Sequence, residues 1–155
     1  MTDKLIGIIS DTHGLVRPQA LEALEGVEMI LHAGDIGSQE VLDTLNEIAP
    51  VVAVRGNNDK AEWARSLPDW EVVELGKVSI YMLHNVNEID ISPSGGGFQV
   101  VVSGHSHKPV VEEQRGVLYI NPGSAGPRRF TLPVSLAHLH VVGERVQAKI
   151  IELAV

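Results

Sequence analysis

The chain has 155 residues, 44% of them hydrophobic and 21% charged, with a formal net charge of −8, seven histidines and no cysteine. Folding at this size buries roughly 70% of the unfolded chain's surface, so a single domain over 1–155 forms a core without staples. The lack of cysteine excludes disulfides, thiolate zinc knuckles, iron–sulfur clusters and cysteine nucleophiles, and it matches a reducing cytoplasm.

Met1-Thr2-Asp3-Lys4 offers neither a basic run nor a long apolar stretch, so no targeting segment is read there. Lys4 to Ser10 is short, Ile-rich and apolar, the pattern of a strand buried on both faces. Pro18 suits the first turn of a helix, where its missing N–H would be unpaired anyway, and Leu21 and Leu24 share one side of that helix. Glu28 to Ala33 reads as a second buried strand, stopped by Gly34-Asp35. A second helix follows Ser38 as N-cap, with Val41, Leu42, Leu45 and Ile48 at three- and four-residue steps, and ends at Pro50. Val51 to Arg55 is a third strand, broken by Gly56-Asn57-Asn58-Asp59. This alternation predicts right-handed crossovers and a mostly parallel sheet.

The second half is richer in strands. Glu71 to Leu75 and Val78 to Leu83 flank Gly76-Lys77, Val110 to Gln114 and Val117 to Ile120 flank Arg115-Gly116, and Ser135 to Val142 and Arg145 to Leu153 flank Gly143-Glu144, three tight hairpins. Asn87 to Gln99, with its Ser-Pro-Ser-Gly-Gly-Gly core, reads as a flexible surface loop. The expected fold is α/β, two packed sheets with helices outside. Nowhere do about 18 apolar residues run together, so no membrane partner is expected. The acidic balance argues against an extended nucleic-acid partner, whose phosphates require clustered Lys and Arg.

The residue types that bind metals fall just after apolar strands. Ile6 to Ser10 delivers Asp11-Thr12-His13, Ile30 to Ala33 delivers Gly34-Asp35, and Val52 to Arg55 delivers Gly56-Asn57. Ser79 to Leu83 delivers His84, and Val100 to Ser103 delivers Gly104-His105-Ser106-His107. Loops at strand carboxyl ends share one edge of an open α/β sheet, so Asp11, His13, Asp35, Asn57, His84, His105 and His107 are expected together. Oxygen and imidazole donors without sulfur suit Mn, Fe, Zn, Ni or Co. Seven donors exceed the need of one ion, and two ions about 3.5–4 Å apart sharing Asp35 would use them economically.

This order of motifs resembles the calcineurin-like metallophosphoesterases, in particular the small YfcE-type phosphodiesterase branch, and the resemblance runs through His32, Asn121-Pro122-Gly123-Ser124 and Pro127-Arg128. It implies a four-layer-type sandwich of two mixed β-sheets flanked by helices. It also implies two divalent ions, with Mn first, one held by Asp11, His13, Asp35 and His107 and the other by Asp35, Asn57, His84 and His105. Asp35, Asn57 and His84 would then be the catalytic residues, and a hydroxide between the ions would attack phosphorus in line in a small phosphoester. His32, Asn58, Asp59, Asn121, Ser124 and Arg128 would stand behind the ligands or on the substrate side.

The chain departs from the wider superfamily in two places. Asn58 stands where many members have a histidine able to protonate the leaving oxygen, which favours phosphodiesters over monoesters, and His84-Asn85-Val86 replaces a His-Gly-His triplet. A scaffold that keeps the fold with little catalysis, as in the related retromer subunit, is the main alternative, and a mononuclear amide hydrolase is a further one. His138 and His140 lie inside an alternating strand and read as its solvent-facing side. Arg128 and Arg129 fit either a phosphate contact or a solvated pair, and Trp63 and Trp70 read as core or interface anchors. Oligomeric state is open.

Overall fold

The computed structural model describes residues 3–155, so Met1 and Thr2, with the targeting reading made on them, lie outside the described residues. The chain runs β1 (Asp3–Ile9), α1 (Pro18–Ala23), β2 (Met29–His32), α2 (Gln39–Asn46), β3 (Val51–Ala53), β4 (Trp70–Leu75), β5 (Val78–Leu83), β6 (Val100–Val102), β7 (Val110–Gln114), β8 (Val117–Asn121), β9 (Ser135–Val142) and β10 (Arg145–Glu152). Two five-stranded mixed sheets result. The first has the order β10-β9-β1-β2-β3, with β1, β2 and β3 parallel and β9 antiparallel to β1 and β10. The second has the order β4-β5-β6-β8-β7, with β5, β6 and β8 parallel and hairpin partners on both edges.

The sheets pack face to face because their inward residues are almost all branched and apolar. Ile6 and Ile8 of β1, Leu31 of β2 and Leu139 of β9 meet Ile80 and Met82 of β5, Val100 and Val102 of β6 and Ile120 of β8. Fully burying one such side chain is worth about 1.5–3 kcal/mol, so this layer outweighs any single surface contact. The three hairpins close where Gly-containing pairs were expected. Arg115 and Gly116, for example, both have positive φ (52° and 78°), the conformation of a two-residue turn that matches strand twist.

The helices differ from expectation in placement. Both α1 and α2 cover the first sheet, where Ala20, Leu24, Val41, Leu42 and Leu45 pack on Ile9, Ile30 and Leu136. The outer face of the second sheet is covered instead by the connection from β5 to β6: Val86, Ile89 and Phe98 pack on Tyr81, Leu83, Val101 and Val117. The segment read as a free loop therefore carries three apolar side chains that seal a sheet face, while its Ser-Gly tip stays exposed. Pro18 occupies the first turn of α1 as its lack of an N–H allows, and Ser38 occupies the N-cap of α2 without a side-chain cap hydrogen bond. His138 corrects another expectation. It faces the helix layer, half-buried, with Nε2 2.7 Å from the carbonyl oxygen of Ala23 at the end of α1, whereas His140 is exposed. Among the described residues no helix is long and apolar enough to cross a membrane.

Candidate metal centre

The parallel strands of both sheets end at one end of the sandwich. Asp11 and His13 follow β1, Asp35 follows β2, Asn57 follows β3, His84 follows β5, and His105 and His107 follow β6. Beyond the last rung of each sheet the loops bond to one another. Asp11 N–H donates to Gly34 O at 3.0 Å, His13 N–H to Asp35 O at 3.0 Å and Gly104 N–H to His84 O at 2.9 Å.

Two Asp11 oxygens have different duties. Oδ2 accepts from Ser10 Oγ at 2.7 Å and from the His105 N–H at 3.1 Å, which fixes the carboxylate. Oδ1 is buried without a hydrogen-bond partner, yet His107 Nε2 lies 3.4 Å from it, and His13 Nε2 and His84 Nε2 each lie 3.9 Å away. Asp35 Oδ2 sits between two of the same rings, 3.3 Å from His84 Nε2 and 3.8 Å from His13 Nε2. Asp11, His13 and His107 form one group, and Asp11, Asp35 and His84 another, each with ligand atoms within 4.8 Å of one another. His105 is exposed, edge-on to His84 with centroids 5.2 Å apart, and Asn57 is exposed beside both on one cleft wall. The floor is buried and the rim is open.

The backbone is strained at the same positions. Non-glycine residues rarely adopt positive φ. Seven of the described residues do so, and five of them are Asp11, His13, Asp35, His105 and His107, with φ between 48° and 73°. Strain of this kind persists only where surrounding structure enforces it, and it gathers at functional sites. Close approaches beside the cluster leave no room for a side chain at Gly56 and Gly104. A Cβ on Gly56 would collide with the backbone nitrogen and Oδ1 of Asp35, and one on Gly104 with Ser10 Oγ.

The site's charges are mutually tuned. Burial alone would raise the Asp35 pKa, but the His84 ring 3.3 Å away, the hydrogen bond from the Asn58 N–H and the charge of His13 hold it well below the usual carboxylate range. For His84, burial works downward and is outweighed by the nearby carboxylates of Asp35 and Asp11, so its pKa is raised. His84 Nδ1 lies 2.7 Å from Ala33 O and so carries a proton toward it, which leaves Nε2 for the carboxylates or for a cation. Orphaned buried atoms at Asp11 Oδ1, His13 Nε2 and His84 Nε2 are what divalent cations would satisfy, and the donor set fits them.

The flanking candidates turn out to pin the loops. Asp59 is buried and accepts from the N–H groups of Ile36 (3.0 Å), Gly37 (3.1 Å) and Gly56 (2.9 Å), tying the loop after β2 to that after β3. His32 Nδ1 accepts from Gly34 N–H at 3.1 Å, so its proton is on Nε2, directed at Thr12 Oγ1 3.0 Å away, and Thr12 in turn donates to Ile36 O at 2.8 Å. Asn58 donates through its backbone (2.9 Å) and amide (3.1 Å) to the two Asp35 oxygens. Asn121 Nδ2 holds Gly104 O and Ser106 Oγ, and Ser124 Oγ donates to Asp11 O at 3.0 Å; both are buried. Arg128 is exposed. Ser10 and Thr12, which flank Asp11, also tie the loops, and Trp70 is not a core anchor, since 55% of it is exposed at the cleft.

The family model for the calcineurin-like phosphoesterase superfamily domain matches residues 5–144. The chain belongs to the calcineurin-like phosphoesterase superfamily. A probable metallophosphoesterase of Methanothermobacter thermautotrophicus is 35% identical over 163 aligned positions, covering 95% of this chain and 91% of that protein. The phosphodiesterase YfcE of Escherichia coli K12 is 29% identical, with 84% of each chain covered. The solved structure of vacuolar protein sorting 29 from Cryptosporidium parvum superposes with a TM-score of 0.84 at 23% identity, covering 99% of this chain and 93% of that one, and so shares its fold. In this member of the superfamily, Asp11, His13, Asp35, Asn57, His84, His105 and His107 all lie in loops that follow strand ends.

Proposed function

We propose that the chain is a metal-dependent phosphodiesterase working on a small phosphoester. The observation that carries this reading is Asp11 Oδ1, buried and unpaired in a ring of three histidine nitrogens at 3.4–3.9 Å. Asp11, His13, Asp35 and His107 would hold one divalent cation, and Asp35, Asn57, His84 and His105 the other, with Mn the first choice. Bound there, the cations would supply Lewis-acid stabilisation of the phosphoryl oxygens and lower the pKa of the attacking water. Ser10 and the His105 N–H orient Asp11, and Asn58 orients Asp35, so the carboxylates need little reorganisation when substrate arrives. His13, Asn57 and His105 form the accessible rim through which the ester enters.

Asn58 also argues for diesters with good leaving groups. Its amide donates to Asp35 and has no proton to release at neutral pH, so this position offers no acid for the departing oxygen. A scaffold role is the competing reading, favoured by the fold shared with vacuolar protein sorting 29. A scaffold has no need of strained, orphaned ligand residues, and this chain keeps them all. Hydrolysis of bis-p-nitrophenyl phosphate is expected with Mn²⁺ and not with chelator, and Asn57→Ala and His84→Ala should each lower it by at least about 100-fold. No metal-dependent rate, or full activity in both variants, would overturn the proposal.

A further inference from the structure

The ligand cluster opens into a cleft of about 460 Å³, within the range that takes a small organic molecule. Asn57, His84 and His105 line it, so a phosphoryl group at the cluster places one ester arm in the cleft. Aromatic side chains line it too. Trp70 opens β4 directly across from Leu83, the residue before His84, and stacks on Tyr81 with ring centroids 5.8 Å apart and planes inclined by 16°. Tyr81 is buried and braced edge-on by Phe98 at 5.4 Å. The indole is therefore backed by a ring that cannot yield, while 55% of Trp70 stays open to solvent. A flat π-surface held in place at the mouth of a cleft is a stacking platform for another planar ring.

Charge narrows what that ring belongs to. The lining carries four carboxylates, Asp59, Asp69, Glu88 and Asp90, against Arg55 and Lys60. Arg55 is already engaged by Asp69 through Nε (3.1 Å) and Nη2 (2.6 Å), and Asp59 by the loop amides. Lys60 alone then faces Glu88 and Asp90, so the cleft beyond the cluster is net acidic and disfavours a second phosphate on the arm, while Glu88 and Asp90 offer acceptors to N–H and O–H donors. A nucleoside combines a planar ring, several donors and no charge.

We infer that the cleft binds the nucleoside arm of a phosphodiester, with the base stacked on Trp70 and its donors, or those of the ribose, facing Glu88 and Asp90. This rests on the phosphodiesterase reading and names its substrate class. The test compares two diesters with one leaving group: the p-nitrophenyl ester of thymidine 5′-phosphate and methyl p-nitrophenyl phosphate, each with Mn²⁺. The nucleoside ester is expected to have a kcat/KM at least about tenfold higher, expressed mainly in KM. Trp70→Ala should abolish that ratio and Trp70→Phe should keep part of it. Equal values in the wild-type protein, or a ratio that survives Trp70→Ala, would overturn the inference and leave the phosphodiesterase reading standing. If neither ester is hydrolysed, that reading fails, and adenosine 5′-monophosphate decides the inference on its own. In a Trp63→Phe chain, where Trp70 is the single indole, it should quench fluorescence saturably in the presence of Mn²⁺, and an unchanged signal at millimolar ligand would overturn the inference as well.

Discussion

Asp11 divides its two carboxylate oxygens between structure and chemistry, and the neighbouring residues follow the same rule of one fixed end and one free end. His32 is the fully structural case. Burial pushes its pKa from 6.5 down to about 4, against the pull of Asp11 and Asp59. The unfolded chain therefore takes up a proton near pH 6.5 that the native chain refuses until about pH 4. The stabilisation is complete above pH 6.5 and is lost as pH falls toward 4, by about 3 kcal/mol. Denaturant titrations of the chelated protein across that range should show the decline, and His32→Gln should flatten it; an equal slope in the variant would assign it to other groups. Asn58 is testable from the opposite side. Asn58→His places an ionisable ring where the amide now contacts Asp35, and a general acid contributes about 10²–10⁴-fold. Rates with poor leaving groups should rise in that variant while those with p-nitrophenol change little, so a plot of log rate against leaving-group pKa should become shallower.

At the scale of elements, the site depends on how closely strand ends approach. The loops after β2 and β3 touch through Gly56, whose missing side chain makes room for Asp35. Gly56→Ala forces those loops apart, and overpacking of this kind costs about 1–3 kcal/mol. A fall in Tm of about 2–10 °C is expected together with loss of metal-dependent hydrolysis; a variant with unchanged Tm and activity would show that the loops can slide. The strands themselves were legible because β1, β2, β5 and β6 are short apolar runs that end in polar clusters, whereas their order in the sheets comes from the tertiary structure. Helix placement was not. Val86, Ile89 and Phe98 are spread through a polar loop with no period, and only the unpaired outer face of the second sheet explains why they turn inward. His138 was misplaced for a similar reason: alternation along β9 gives the side it faces, but not that the end of α1 lies over that side.

For the whole molecule, the proposed cation sites would make stability depend on divalent cations. A ligand that binds only the native state at 100 times its Kd adds about 2.7 kcal/mol per site, equivalent to about 5–10 °C in a chain of this length. Thermal melts with excess Mn²⁺ should therefore run above those with chelator, and coincident curves would mean that the histidine–aspartate cluster holds no metal. Two bound divalent ions would also take the formal net charge from −8 to −4. That change falls at the phosphoryl end of the cleft, so an acidic protein can still receive an anionic ester.

The sequence by itself determined the α/β character, the parallel first half, the hairpins and which polar residues follow the strand ends at one end of the sandwich, because strand ends are marked locally by a change from apolar to polar. It did not determine which oxygen of Asp11 is free, how Asp59 and Asn121 lock neighbouring loops, or that Trp70 stands open above Tyr81. Most of those are relations between residues distant in the chain, up to 94 positions apart. Local pattern records what each residue prefers, and only packing of the two sheets decides which preferences are met by a neighbour and which are left for a ligand.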